Sequence, residues 1–298
     1  MQSKKKVLKV HNQRVAYLFL LPSFVVLSIF VFIPLIASLV ISLLNMDIFM
    51  KNVSFAGLSN FKRLFSDSRV ANATFNTFYF AVLEVPIQTV LALLLATFVS
   101  RSTRFCKALR SIYYVPFICS MTAIGIVWSM LLDPNMGMVP YILKKFGLGT
   151  IAFLKDANLA MPTIIAITAW KGFGYTLTLL AAAILGVSGS LYEAADMDGA
   201  GYWQKFFKIT IPEIWPTVSF CLVTNMIASM QVFDQVYVMT KGGPSYHTET
   251  LVQYIYDRGF QTAPYDLGYA SAISVYLFII VAVITFVLRR FTNREETA

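Results

Sequence analysis

Charge is what this sequence has least of. Only 13% of its 298 residues are Asp, Glu, Lys or Arg, against roughly 25% in an ordinary soluble domain. With 57% of the residues hydrophobic, too little polar surface remains to cover a soluble globule. Cysteine and histidine are scarce as well, at 3 and 2 residues. Cys106, Cys119 and Cys221 are too scattered for a zinc spacing, and an odd number of mostly membrane-embedded thiols argues against a disulfide framework. His11 and His247 fall in a tail and a loop, so no histidine–carboxylate pair for acid–base catalysis can be assembled. A GxxxxGK[ST] phosphate loop is missing too, so the chain is not expected to bind ATP or its Mg ion itself, and no enzyme is expected.

What is present is a series of apolar runs, each long enough to cross a hydrocarbon core about 30 Å thick as a helix. Backbone groups in lipid must be satisfied within their own segment, so the runs are helices. The expected fold is all-α and polytopic, with six transmembrane helices at about 17–44, 74–100, 111–132, 161–187, 214–239 and 267–288. They make one membrane domain, 17–290, between short tails at 1–16 and 291–298. Lys4, Lys5, Lys6, Lys9 and Arg14 precede the first span as in a signal peptide. Its apolar stretch, however, exceeds the roughly 7–15 residues of a signal's core and no small-residue cleavage site follows, so a retained anchor is expected. With the N-terminus inside, the inner segments collect these five cations together with Arg101, Arg104, Lys107, Arg110, Lys205, Lys208, Arg289, Arg290 and Arg294. Fewer fall outside, so both termini are expected in the cytoplasm, in a multi-pass protein of the cell membrane. The net charge of +9 is then a topology signal and calls for no nucleic-acid partner.

Between the fourth and fifth spans stands LYEAADMDGAGYWQKFFKITIP, residues 191–212. Leu191 to Met197 favours a helix, Gly199 and Gly201 interrupt it, and Tyr202 to Thr210 resumes with Phe206 and Ile209 three apart on one face. Pro212 suits the first turn of the fifth span. The expected form is a helix–turn–helix that exposes Tyr192, Trp203, Phe206 and Phe207. Such aromatics would be covered by a partner protein or, equally, lie with Lys205 and Lys208 in the bilayer interface.

The same residues resemble the EAA loop of permease subunits of binding-protein-dependent ABC importers. Glu193, Ala194, Ala195, Asp198, Gly199, Ala200, Phe206, Ile209 and Pro212 fall at the family's spacing. FAGLSNFKRLF (55–65), TKGGPSYHTETLVQYIYDRGF (240–260) and GYASAISVYLFIIV (268–281) are similar to further signatures of maltose- and glycerol-phosphate-type carbohydrate importers. The Gly-Gly-Pro loop is like that of the larger maltose-type subunit, although the six core helices match the shorter members of the group.

The resemblance implies that the hairpin is a coupling helix inserting into a cytoplasmic ATPase. Glu193 would anchor it electrostatically, or serve only as a helix-start charge, and Gly199 would allow its turn. It further implies a second, homologous permease subunit, two ATPase subunits that bind ATP and Mg, and an extracytoplasmic sugar-binding protein. The first span would wrap the neighbouring permease.

Polar residues inside spans are costly and normally face a cavity or a partner. Candidates for a carbohydrate pathway are Trp170, Tyr175, Asn225, Ser229, Gln231 and Asp234, since aromatic rings stack on sugars while amides, hydroxyls and carboxylates bond their hydroxyl groups. In relatives the sugar site lies at this level. Interhelical hydrogen bonding would account equally for Asn225, Ser229 and Thr178. Lys171 and Asp234 would form an intramembrane ion pair, and Glu84, two residues before Pro86, is assigned no substrate role. One lysine and one aspartate in these spans favour a neutral sugar or oligosaccharide. The alternative is a secondary transporter or channel driven by an ion gradient, with Glu84, Lys171 and Asp234 as carriers.

Overall fold

The computed structural model describes residues 13–50, 53–101 and 103–292, with side chains from residue 17 onward. The expected tails, apart from residues 13–16, 291 and 292, lie outside the described residues. So do Lys4, Lys5, Lys6, Lys9, Arg294 and the side chain of Arg14.

Helix α1 (Gln13–Leu27) passes through one π-helical turn into α2 (Ile33–Ile41). A two-residue antiparallel pair, β1 (Leu44–Asn45) with β2 (Ser54–Phe55), and α3 (Ser59–Ser66) lead to the long α4 (Ser68–Val99). Asp67 caps α4 by accepting the Arg69 N–H at 2.9 Å, as an N-cap aspartate does. Next come α5 (Arg104–Ile118), α6 (Met121–Leu131), α7 (Met138–Lys145) and α8 (Ala160–Gly186). The hairpin helices α9 (Gly189–Met197) and α10 (Tyr202–Lys205) precede α11 (Ile211–Met230), then α12 (Asp234–Met239), α13 (Leu251–Tyr256) and α14 (Leu267–Thr292).

Among the described residues five helices are long and apolar enough to cross a membrane, and six if the bent pair α5 and α6 counts as one. The expected third span, 111–132, is therefore corrected. It begins at Arg104 and turns by 91° between Ile118 and Met121, where Cys119 and Ser120 are extended. Pro116 has already removed one helical N–H just before the break. The expected fifth span, 214–239, ends at Met230, with Gln231–Phe233 separating it from α12. The second span starts six residues earlier than expected, at Ser68, and runs through Pro86 without interruption. The first ends at Ile41 rather than Leu44 and the sixth continues to Thr292.

The core follows from helices α4, α5, α8 and α11 lying side by side. Ala92 and Ala96 of α4 admit Phe173, Leu177 and Leu180 of α8, against Ile214 and Val218 of α11. Small residues on one helix facing large ones on the next give the close approach that membrane helices use in place of a hydrophobic driving force. The approach is closest at Gly174, where an added Cβ would stand 1.9 Å from the Tyr113 carbonyl oxygen of α5. That obstacle is backbone and cannot rotate away. Gly174→Ala is expected to cost about 3 kcal/mol, the upper end for overpacking, read as earlier thermal unfolding of the purified chain in detergent. Helices α1 and α2 contrast with this core. None of their described side chains is buried, and their main contact with the bundle is that of α2 with α14.

Candidate functional site

Two features stand out: a hairpin at one end of the bundle and a polar cavity within it. Helix α9 ends in a Schellman turn. Gly199 has φ +71°, its N–H bonds the Asp196 carbonyl at 3.1 Å, and the Ala200 N–H bonds that of Ala195 at 2.9 Å. This left-handed position favours glycine. The second arm starts when Gln204 reaches back to the Gly201 N–H at 2.8 Å, and Lys205 clamps the arms through Asp196 at 2.6 Å.

Glu193, Ala194, Asp198 and Gly199 lie exposed along the hairpin, and Ala195 and Ala200 are partly covered. Two expectations change. The second arm is no separate helix, because it runs through a π-helical turn (Phe206–Thr210) directly into α11, with Pro212 in its first turn. Phe206 is not exposed: it is 6% accessible and lines a groove with Ile184, Tyr192 and Thr210. Tyr192 is half-buried, its hydroxyl 2.8 Å from that of Thr210. Trp203 and Phe207 do stay on the surface. The hairpin is thus a continuous extension of α11, joined to the bundle by one buried ring and one hydroxyl pair.

The cavity, about 220 Å³, lies between α4, α8, α11 and the broken end of α5. Lys171 and Tyr175 are four apart on α8, as are Glu84 and Gln88 on α4 and Asn225 and Ser229 on α11, so each pair shares a face. All six line the cavity. Tyr175 stacks on Phe117, ring centroids 4.8 Å apart at 18°. Lys171 donates to the Phe117 carbonyl at 3.1 Å. That carbonyl belongs to the last turn of α5, whose oxygens have lost helical partners at the bend and favour a cation. Asn225 and Gln88 both donate to the Thr176 hydroxyl, at 3.2 and 3.1 Å. Ser229 donates to Glu84 at 2.5 Å.

Of the six pathway candidates, Tyr175, Asn225 and Ser229 come together here, and the two α11 residues also bond across helices. Trp170, Gln231 and Asp234 do not line this cavity. Trp170 meets Trp128 edge to face at 5.7 Å, and Gln231 faces a separate groove against α13 and α14. Asp234 is exposed on α12 and forms no salt bridge with Lys171 among the described residues. The Thr178 hydroxyl stays within its own helix, bonded to the Gly174 carbonyl at 2.8 Å. Glu84, Gln88 and Phe117 were not among the candidates. For Gln88 the four-residue spacing from Glu84 was an available signal.

At the end of α4 away from the hairpin, a second polar cluster pins the 240–250 loop. Arg69 grips Glu249 with two nitrogens at 3.1 and 2.5 Å and reaches Asp257 at 3.1 Å. Asn76 donates to the carbonyls of Tyr246 and Glu249. Asp67 accepts from the Tyr254 and Tyr269 phenols, both at 2.7 Å. Burial would raise the Asp67 carboxyl, but those phenols and two backbone N–H groups outweigh it and hold it below the ordinary carboxylate range.

A multi-pass helical bundle with a polar cavity in its membrane region and a rigid hairpin at one end is the membrane-embedded part of a transport machine. The chain belongs to the family described as binding-protein-dependent transport system inner membrane component, which it matches over residues 88–296. It is 34% identical to the sn-glycerol-3-phosphate transport system permease protein UgpA of Agrobacterium fabrum over 285 residues, 95% of this chain and 96% of that one. It is 33% identical to the lactose transport system permease protein LacF of Rhizobium radiobacter, covering 94% of each. Among solved structures it resembles a chain of a bacterial alginate ABC transporter in complex with a periplasmic protein bound to an alginate pentasaccharide. There the TM-score is 0.81 and the identity 26%, over 95% of both chains.

Proposed function

We propose that this chain is one permease subunit of an ATP-driven carbohydrate importer and forms half of its translocation pathway. The observation that carries the proposal is the hairpin: an exposed, EAA-type arm built as a continuation of a helix that lines the cavity. Arg101, Arg104, Lys107, Arg110, Lys205, Lys208, Arg289 and Arg290 all sit at the hairpin end, and this excess of cations supports a cytoplasmic hairpin with both termini on the same side. Two cytoplasmic ATPase subunits bind ATP and Mg and close on nucleotide. Their movement is delivered through the hairpin and turns the bundle between inward- and outward-facing states. A second, homologous permease supplies the other half of the cavity. Ligand pockets usually span about 300–1,000 Å³, so 220 Å³ fits a half-site. The uncovered faces of α1 and α2 pack on that neighbour, and an extracytoplasmic binding protein delivers the sugar at the opposite end. This chain itself binds no cofactor.

The cavity carries one acid and one base, Glu84 and Lys171, which suits a neutral sugar or oligosaccharide. In proteoliposomes holding the complete assembly, uptake is expected to require ATP and to ignore ionophores. Ionophore-sensitive uptake without ATP would instead make the chain an ion-driven carrier. Tyr175→Ala and Asn225→Ala should each raise the half-saturating sugar concentration about tenfold, equivalent to about 1.4 kcal/mol, measured as sugar-dependent uptake.

A further inference from the structure

We propose that Glu84 is a specificity-determining residue of the pathway, a carboxyl group held by Ser229 that accepts hydrogen bonds from the hydroxyl groups of a neutral sugar, opposite the Lys171 donor. The proposal rests on the cavity being part of the translocation pathway.

A carboxyl group inside a membrane span is expensive and is retained for a reason. Glu84 is 2% accessible, and among the described residues no Lys or Arg forms a salt bridge with it. Its sole hydrogen bond there is the one that Oε2 accepts from Ser229. Fastening α4 to α11 does not explain it. One turn along the same face, Gln88 and Asn225 already join α4, α8 and α11 through the Thr176 hydroxyl, using neutral groups. Oε1 remains over on a residue that lines the cavity.

A carboxyl group keeps acceptor lone pairs on its oxygens in either protonation state. Ser229 occupies one site and fixes the rotamer, so the others are set for a ligand. Across the cavity, the Lys171 ammonium has three donors and spends one on the Phe117 carbonyl. The stacked Phe117–Tyr175 pair lines the same cavity and supplies aromatic surface beside them. An acceptor, a donor and a flat apolar wall are what a sugar ring with free hydroxyl groups requires. An anionic ligand would gain Lys171 but meet the acceptor lone pairs of Glu84 Oε1.

The test uses the complete assembly in proteoliposomes, with lactose, maltose and sn-glycerol 3-phosphate as probes. Glu84→Gln keeps the shape and replaces one acceptor oxygen by an amide donor. It should raise the half-saturating concentration of whichever neutral sugar is carried about tenfold, with maximal rate largely kept. It should also reduce the preference for neutral sugar over sn-glycerol 3-phosphate by a similar factor. Ser229→Ala frees the Glu84 side chain and should weaken half-saturation and preference less than Glu84→Gln does. If Glu84→Gln lowers only the maximal rate, or leaves the preference unchanged, Glu84 is a helix fastener and the proposal falls. Should Glu84→Gln fail to assemble, Glu84→Asp takes its place, and an unchanged half-saturation and preference there overturns the proposal. Tyr175→Ala and Asn225→Ala separate the levels. If they raise half-saturation and Glu84→Gln does not, only this proposal fails. If none of the three does, the cavity is not the pathway.

Discussion

Gly199→Pro is expected to reduce ATP-driven uptake to background while the membrane bundle stays folded. The Schellman turn needs φ +71° at this position, whereas the proline ring fixes φ near −65°. Proline also removes the N–H that bonds the Asp196 carbonyl. The turn must therefore be rebuilt, and the two arms lose the geometry that the Lys205–Asp196 clamp depends on. A Cβ at Gly199 would meet no atom within 4 Å, so the milder Gly199→Ala pays only the left-handed backbone penalty, about 1–2 kcal/mol. A graded loss of uptake from alanine to proline, with thermal unfolding of the detergent-solubilised chain lowered no more than this local penalty requires, is the expected pattern. Full uptake by Gly199→Pro would mean that the hairpin transmits nothing and merely rests on the membrane surface.

The hairpin was legible in the sequence because its signals are local. Charges, two glycines and a proline punctuate an otherwise apolar chain, and the spacing of Phe206 and Ile209 marks its second arm. The spans were legible for the same reason. What escaped was whatever depends on contacts between distant segments or on small breaks in apolar runs. The bend at Cys119 and Ser120 joins two apolar halves, which a hydropathy pattern reads as one span. Phe206 looked exposed because the groove it enters is completed by Ile184 of α8, 22 residues back in the chain. Glu84 gave no local sign of its surroundings, since Ser229 is 145 residues away. Gln231, by contrast, lies off this cavity, and a signal for that was present. Asn225 and Ser229 are four apart and share a face, and a residue two further on points to nearly the opposite side. Trp170, one residue before Lys171, is likewise turned off that face, by about 100°.

Arg69→Ala should be the most destabilising single change outside the helix core. It leaves Glu249, whose side chain is 3% accessible, buried with no cation. Breaking a buried pair from one side costs about 3–5 kcal/mol, and the 28% accessibility of the Arg69 side chain favours the lower figure. Burial already pushes the Glu249 carboxyl above the ordinary carboxylate range, with Arg69 pulling it back. Without Arg69 the carboxyl rises further. A carboxyl raised by folding stabilises the folded state while protonated and loses that contribution as pH climbs through its folded value. The penalty of Arg69→Ala is therefore expected to be larger near neutral pH than at about pH 5, in thermal unfolding of the purified chain. Arg69→Met combined with Glu249→Leu removes both charges at similar volume and should recover most of the loss. Equal penalties at both pH values would show that Arg69 acts by packing over the Tyr246 and Tyr254 rings, which it faces at 4.2 and 4.7 Å, and that Glu249 is not the group it neutralises. The loop it fastens lies at the end of the bundle away from the hairpin, where a delivered sugar would enter under the proposed function. On that reading, a variant that unfolds early only in this region would lose uptake and keep its grip on the ATPase.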